Sequence, residues 1–187
     1  MELGILLGLA ALILVVVVMI YNGIITRMNA VERGWANVIT QERQKNKMIP
    51  HLEQVTEQFK QHEMGLQSSI AELRSGLARL QPGTIDTAAL QQVEGSTQKL
   101  MQGLTIAVEA YPELKASEIF NNLMREIAEQ QENIGAAIRI FNQNVEDFNN
   151  GIEVFPNSLV NSLLNKKTRV TPFHDSEAEA GFEYKLR

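Results

Sequence analysis

The chain has no cysteine among its 187 residues, so a disulfide framework, thiol catalysis and thiolate metal sites are excluded. Other chemistries are missing for want of partner residues. His62-Glu63 lacks the second histidine of a zinc-binding HExxH helix, because position 66 is Leu. His51 lies eleven residues away, on the same helical face but about 16 Å along the axis, too far to share one metal. Ser68, Ser69 and Ser158 have no accompanying His and Asp pattern, and no glycine loop is placed to cradle a phosphate. The sequence therefore reads as no enzyme, with no cofactor and no metal. It also lacks a basic stripe on its body: residues 48–165 carry seven basic against fifteen acidic groups, which argues against nucleic acid as a partner.

One stretch lacks charge altogether. From Leu3 to Thr26 there are 24 uncharged residues, and the 18 from Leu3 to Ile20 are all aliphatic, Gly or Met. As a helix that core is about 27 Å long, close to the roughly 30 Å of bilayer hydrocarbon. The segment reads as a transmembrane anchor over residues 1–26. A cleaved signal peptide fits less well, since the apolar run is long, the preceding region is not basic and no small-x-small site closes the run before Tyr21. No second long apolar run exists, so the anchor is single-pass. Basic residues are absent before the span, whereas Arg27, Arg33, Arg43, Lys45 and Lys47 follow it. That asymmetry places the domain in the cytoplasm.

Strand signals are few, and the rest reads as an all-α domain over residues 27–165 with a polar C-terminal tail over 166–187. The span is expected to continue into a long helix over about 27–80. Leu52, Val55, Phe59, Leu66, Ile70, Leu73, Leu77 and Leu80 follow three- and four-residue steps up to Gln81-Pro82-Gly83. Pro50 is expected to kink this helix. A second helix runs over 87–110, with Asp86 or Thr87 as cap, and stops at Tyr111-Pro112. The third spans 117–155 behind a Ser117 cap. Its apolar residues Phe120, Leu123, Ile127, Ile134, Ile138, Phe141, Val145, Phe148, Ile152 and Phe155 keep a coiled-coil-like spacing that Gln130 interrupts.

An aromatic-amide pair, Phe141-Asn142, recurs seven residues later as Phe148-Asn149, before Phe155-Pro156 ends the pattern. Seven residues return to nearly the same helical face, so the repeat marks a sustained contact. Tyr21, Asn22 and Asn29 show the same spacing just after the span, and the two segments are candidates to pack on each other. Lengths agree: about 90 Å of helix from residue 21 to 80 against about 36 Å and 58 Å for the two later helices. An antiparallel bundle would thus bring Phe155-Pro156 back beside Tyr21. There the basic flanks Arg27, Arg33, Lys166 and Lys167 meet anionic headgroups. The short helix over 157–165 gathers Leu159, Val160, Leu163 and Leu164 on one face; it either enters the headgroup boundary or caps the bundle against Trp35 and Val31. His62, between Phe59 and Leu66, is expected to be a structural histidine.

These residues in this order resemble the LemA family of bacterial membrane-anchored helical proteins. The resemblance is carried by Tyr21-Asn22 at the end of the span, Arg27-x-Asn29-x-Val31 with Trp35, Met48-Ile49-Pro50 with Leu52, and His62-Glu63. Pro112-x-Leu114-x-Ala116 precedes the long helix, and Phe120 and the Phe-Asn repeat closing in Phe155-Pro156 complete it. It implies a single-pass protein of the bacterial inner membrane with a helical bundle. Two function classes stay open: a scaffold that forms a homo-oligomer through its helices, or an adaptor that presents its bundle or tail to another membrane protein.

Overall fold

A computed structural model describes residues 1–57, 64–111 and 117–174. It is all-α, with no strand among the described residues. The helices are α1 (Glu2–Gln44), α2 (Ile49–Glu57), α3 (Met64–Arg79), α4 (Thr87–Ala110), α5 (Glu118–Glu153) and the single turn α6 (Asn157–Val160). The described residues form two compact units: residues 1–34 with 139–172, and those within 35–138 with 173–174.

In the first unit, α1 carries the apolar stretch, and its most apolar 18-residue window has no buried residue. By length and composition the run is sufficient to cross a membrane. Beyond it, Ile24 and Val31 of α1 and Phe141, Val145, Phe148 and Ile152 of α5 are buried. The two helices run antiparallel. A Cβ on Gly34 would lie 3.2 Å from the Phe141 Cα, Asn144 Nδ2 donates to the Ala30 carbonyl at 3.1 Å, and Gly151 sits under the Arg27 side chain. Glycine at 34 is what lets the backbones come this near. The seam ends at Ile152. Phe155, expected as its last member, stands exposed, because α5 stops at Glu153 and a new helical turn begins after Pro156. α6 and a π-turn (Asn161–Asn165) follow, closed by Lys166 at φ 50°.

The second unit starts at Trp35. Its buried side chains include Trp35, Val38, Ile39, Ile49 and Leu52 from the α1–α2 segment, with Leu77, Leu90, Leu100 and Ile134 from α3, α4 and α5. Pro50 lies in the first turn of α2. Lacking an N–H, it cannot bond one turn back, and the irregularity appears there as a 3-10 turn over Lys45–Lys47, with Met48 N donating to Lys45 O. The buried positions keep their phase through this turn: 24, 31, 38, 45 and 52 are seven apart. α3 and α4 form an antiparallel hairpin. Asp86 caps α4 by accepting from Ala89 N at 2.9 Å, and Ser117 Oγ accepts from Phe120 N at the start of α5. The end of α3 is capped by α1, whose Trp35 Nε1 donates to Gln81 O at 3.1 Å and Arg43 to Leu80 O at 2.7 Å.

Phe148→Ala is expected to destabilise the protein by about 3 kcal/mol, since it empties a fully buried ring site. Phe155→Ala should change stability by less than about 0.5 kcal/mol. Denaturant unfolding followed by circular dichroism measures both.

Candidate functional site

The second unit holds a polar cluster inside its core. Seam positions that an ordinary bundle fills with aliphatic residues are here Glu42, Lys45 and Thr97, all buried. Lys45 Nζ, the hub, lies 2.6 Å from Glu94 Oε1, 3.0 Å from Thr97 Oγ1 and 2.9 Å from Glu42 Oε2. Gln131 Nε2 of α5 donates to the other Glu94 oxygen at 3.1 Å. Glu94 is 19% exposed, whereas Glu42 is wholly enclosed. Neither Glu42 oxygen accepts a hydrogen bond; Lys45 approaches within ion-pair distance but off the bonding direction.

That asymmetry separates the two carboxyls. Burial raises Glu42 well above the ordinary carboxylate range, and the nearby Glu94 adds to the rise against the opposing pull of Lys45. Burial pushes Glu94 up as well, but the Lys45 charge and hydrogen bonds from Glu42, Lys45 and Gln131 carry it below the ordinary range. The cluster is therefore a Glu94–Lys45 ion pair beside an enclosed Glu42 whose burial favours the protonated form. Such a group can store a proton or fix helix register. The described residues contain no set of His, Cys, Asp or Glu able to hold a metal.

The first unit uses amides differently. Buried Asn149 donates to Val170 O at 2.9 Å and accepts from Val170 N at 3.0 Å. Asn161 makes the same pair with Lys167, at 2.9 and 3.0 Å. Each side chain thus pairs with one residue's backbone as a neighbouring strand would. Asn157 donates to Gly151 O at 3.0 Å, and Asn165 to the Tyr21 carbonyl at 3.3 Å. Residues 166–172, expected as the start of a polar tail, are tied back by these bonds and by Arg169–Glu153 at 3.0 Å. Lys166 keeps its left-handed backbone at a cost of about 1 kcal/mol relative to glycine. Arg27, Asn144, Asp147 and Asn157 edge an open cleft of about 450 Å³ beside these ties.

The structure brings together some of the residues singled out by sequence. Phe141, Phe148 and Asn149 are buried in the first unit, and Trp35 is buried in the second. Asn142 is half-buried; Tyr21, Asn22, Asn29, Phe155 and Pro156 are exposed, as are Arg27, Arg33, Leu159, Leu163 and Lys166, while Lys167 is half-buried. His62 lies outside the described residues. His51 is exposed, with Nδ1 3.9 Å from Glu126. Sequence reasoning missed the Glu42–Lys45–Glu94 cluster and the amides Asn144, Asn157, Asn161 and Asn165. The signal was present: Leu123, Gln130, Ala137, Asn144 and Gly151 form a second seven-residue stripe on α5. Its two amides reach α1 carbonyls, Gln130 donating to Gln41 O at 2.8 Å and Asn144 to Ala30 O.

Residues 34–181 match the family model described as the LemA family. A Metamycoplasma hominis protein named Protein LemA is 29% identical over 121 residues, which cover 65% of this chain and 53% of that protein. The chain spans about half the length of this curated relative.

Because Glu42 holds its proton more tightly folded than unfolded, stability should fall as pH rises from the ordinary carboxylate range through the raised folded value. Glu94 has the opposite sign: its contribution is present above the ordinary range and is lost as pH falls through its lowered value. Glu42→Gln, a permanently neutral isostere, should remove the high-pH decline in melting temperature. Glu94→Gln should cost about 3 kcal/mol in mild acid, where Lys45 is left without a carboxylate. The cost should shrink at higher pH, where Glu42 ionises and takes over. Thermal melts between about pH 5 and pH 8 check both.

Proposed function

The chain belongs to the LemA family, and from that premise we propose that it is a non-enzymatic scaffold, anchored once in the bacterial inner membrane, that self-associates through its helices. Its domain lies in the cytoplasm, on the side of the basic residues that follow the span. The observation that carries the self-association is the bare face of the span. Gly4 and Gly8 are one helical turn apart, and no atom of another segment would come within 4 Å of a Cβ at either. Small residues at four-residue spacing on an apolar helix let a second helix approach closely in lipid. The absence of catalysis has its own support. Buried Lys45, Thr56, Thr97 and Asn149 are each engaged with a backbone group or another side chain, which suits a protein whose polar groups hold helices in place.

Light scattering of the full chain in mild detergent tests this reading. A uniform species at a multiple of the 21.0 kDa chain mass is expected, reduced toward the monomer by Gly4→Ile with Gly8→Ile. A wild-type monomer would overturn the scaffold and favour an adaptor that offers its bundle or tail to another membrane protein.

A further inference from the structure

In the unit formed by residues 1–34 and 139–172, the chain turns back beside the end of the apolar stretch. Gly151 lies against the Arg27 side chain, and Asn165 donates to the Tyr21 carbonyl. The turn between them is therefore anchored at both ends along α1, near residues 27 and 21. Those are the positions where the uncharged stretch gives way to the first basic residue. A bilayer that takes up residues 3–20 has its headgroup boundary at this height.

The turn is apolar on its outer side. Phe155 is 82% exposed, Leu159 55%, Leu163 66% and Leu164 53%, and of its aliphatic residues only Val160 is buried. A helix that merely capped the bundle would cover these side chains. They are also held in place, because Asn157 and Asn161 tie the turn to Gly151 and Lys167. Lys166 and Lys167 follow directly. Arg169 is paired with Glu153, whereas neither lysine makes an ion pair among the described residues. A fixed cluster of large apolar side chains with two uncommitted cations at its edge has the composition of an interfacial membrane contact.

We propose that the turn from Val154 to Leu164 is a second, in-plane membrane contact, in which Phe155, Leu159, Leu163 and Leu164 enter the headgroup boundary of an anionic bilayer and Lys166 and Lys167 meet lipid phosphates. This rests on the reading of residues 3–26 as a membrane anchor. It gives the protein two attachments where the span alone gives one. The end of α5 is fixed to the surface, and α1 cannot tilt freely as it leaves the bilayer.

The absence of cysteine makes the test direct. Single labels at Leu163→Cys, Leu12→Cys and Ile140→Cys are placed in the full chain, reconstituted in vesicles containing phosphatidylglycerol. Fluorescence quenching by headgroup-level and tail-level nitroxide lipids is then read. Position 140 is exposed on the same unit but stands about 20 Å further from Tyr21 along α1. Headgroup-level quenching at 163 is expected to exceed that at 140 by about threefold or more. It should drop when Lys166→Glu and Lys167→Glu are added, and also in purely zwitterionic vesicles. A label at 163 that lipid nitroxides do not reach, while position 12 is quenched from the tail level, would overturn the inference and leave the anchor standing. Shielding of 163 from an aqueous quencher without lipid quenching would assign the turn to a protein contact and equally overturn it. No quenching at 12 would remove the anchor and the inference together.

Discussion

A seven-residue repeat on α5 is the constraint from which the rest follows. Its first stripe, Phe120, Ile127, Ile134, Phe141 and Phe148, supplies bulk, and every member is buried. A stripe of that kind drives helices together but barely distinguishes one register from another displaced by two turns. The second stripe makes the distinction. At Gln130 and Asn144 it places amides that donate to the Gln41 and Ala30 carbonyls of α1, and at Gly151 it leaves room for the Arg27 side chain, which a bulkier residue brought there by a slip would fill. Both amides are half-buried, so each bond adds only about 0.5–1.5 kcal/mol, and the close approaches at the glycines carry more of the distinction. Gly34 removes the side chain that would otherwise hold α1 away from Phe141.

Register then decides what the C-terminal turn can do. With Asn144 fixed to Ala30, Gly151 falls beside Arg27, and the chain leaving α5 meets the last residues of the apolar stretch. The same seven-residue frame explains the buried ion pair. Glu42 and Lys45 occupy positions that face inward whatever residue stands there, so their charges had to be matched within the core. Glu94, Thr97 and Gln131 supply that match, and burial favours the neutral form of Glu42, which leaves Glu94 as the main counter-charge of Lys45. Burying charge in this way adds little stability compared with an aliphatic core. It does penalise any packing in which Lys45 lacks Glu94.

Much of this was legible in the sequence, for definite reasons. The apolar stretch, the helix caps at Asp86 and Ser117 and the aromatic seam each depend on residues close in sequence, where spacing reports the face directly. The polar cluster was hidden because its members come from positions as distant as 42 and 131, and an acidic residue on a helix reads first as solvated. The asparagine ties were hidden for a related reason: their acceptors are backbone carbonyls, which leave no mark on composition. Phe155 shows the limit of extrapolating a repeat. Its spacing continues the seam, but α5 stops at Glu153 and the ring leaves the core. At Pro50 the proline's effect falls one turn upstream, where the missing bond would have closed.

A disulfide measures the register between α1 and α5 in the unit that carries the apolar stretch. In the otherwise cysteine-free chain, Ala30→Cys with Asn144→Cys should form an intramolecular bond on mild oxidation, at the mass of a single chain. Ala30→Cys with Gly151→Cys, displaced by two turns or about 10 Å along the helix, is beyond the roughly 7 Å that a disulfide can span between Cα atoms and should stay reduced. Efficient closure of the displaced pair, or bonds formed only between chains, would contradict this register.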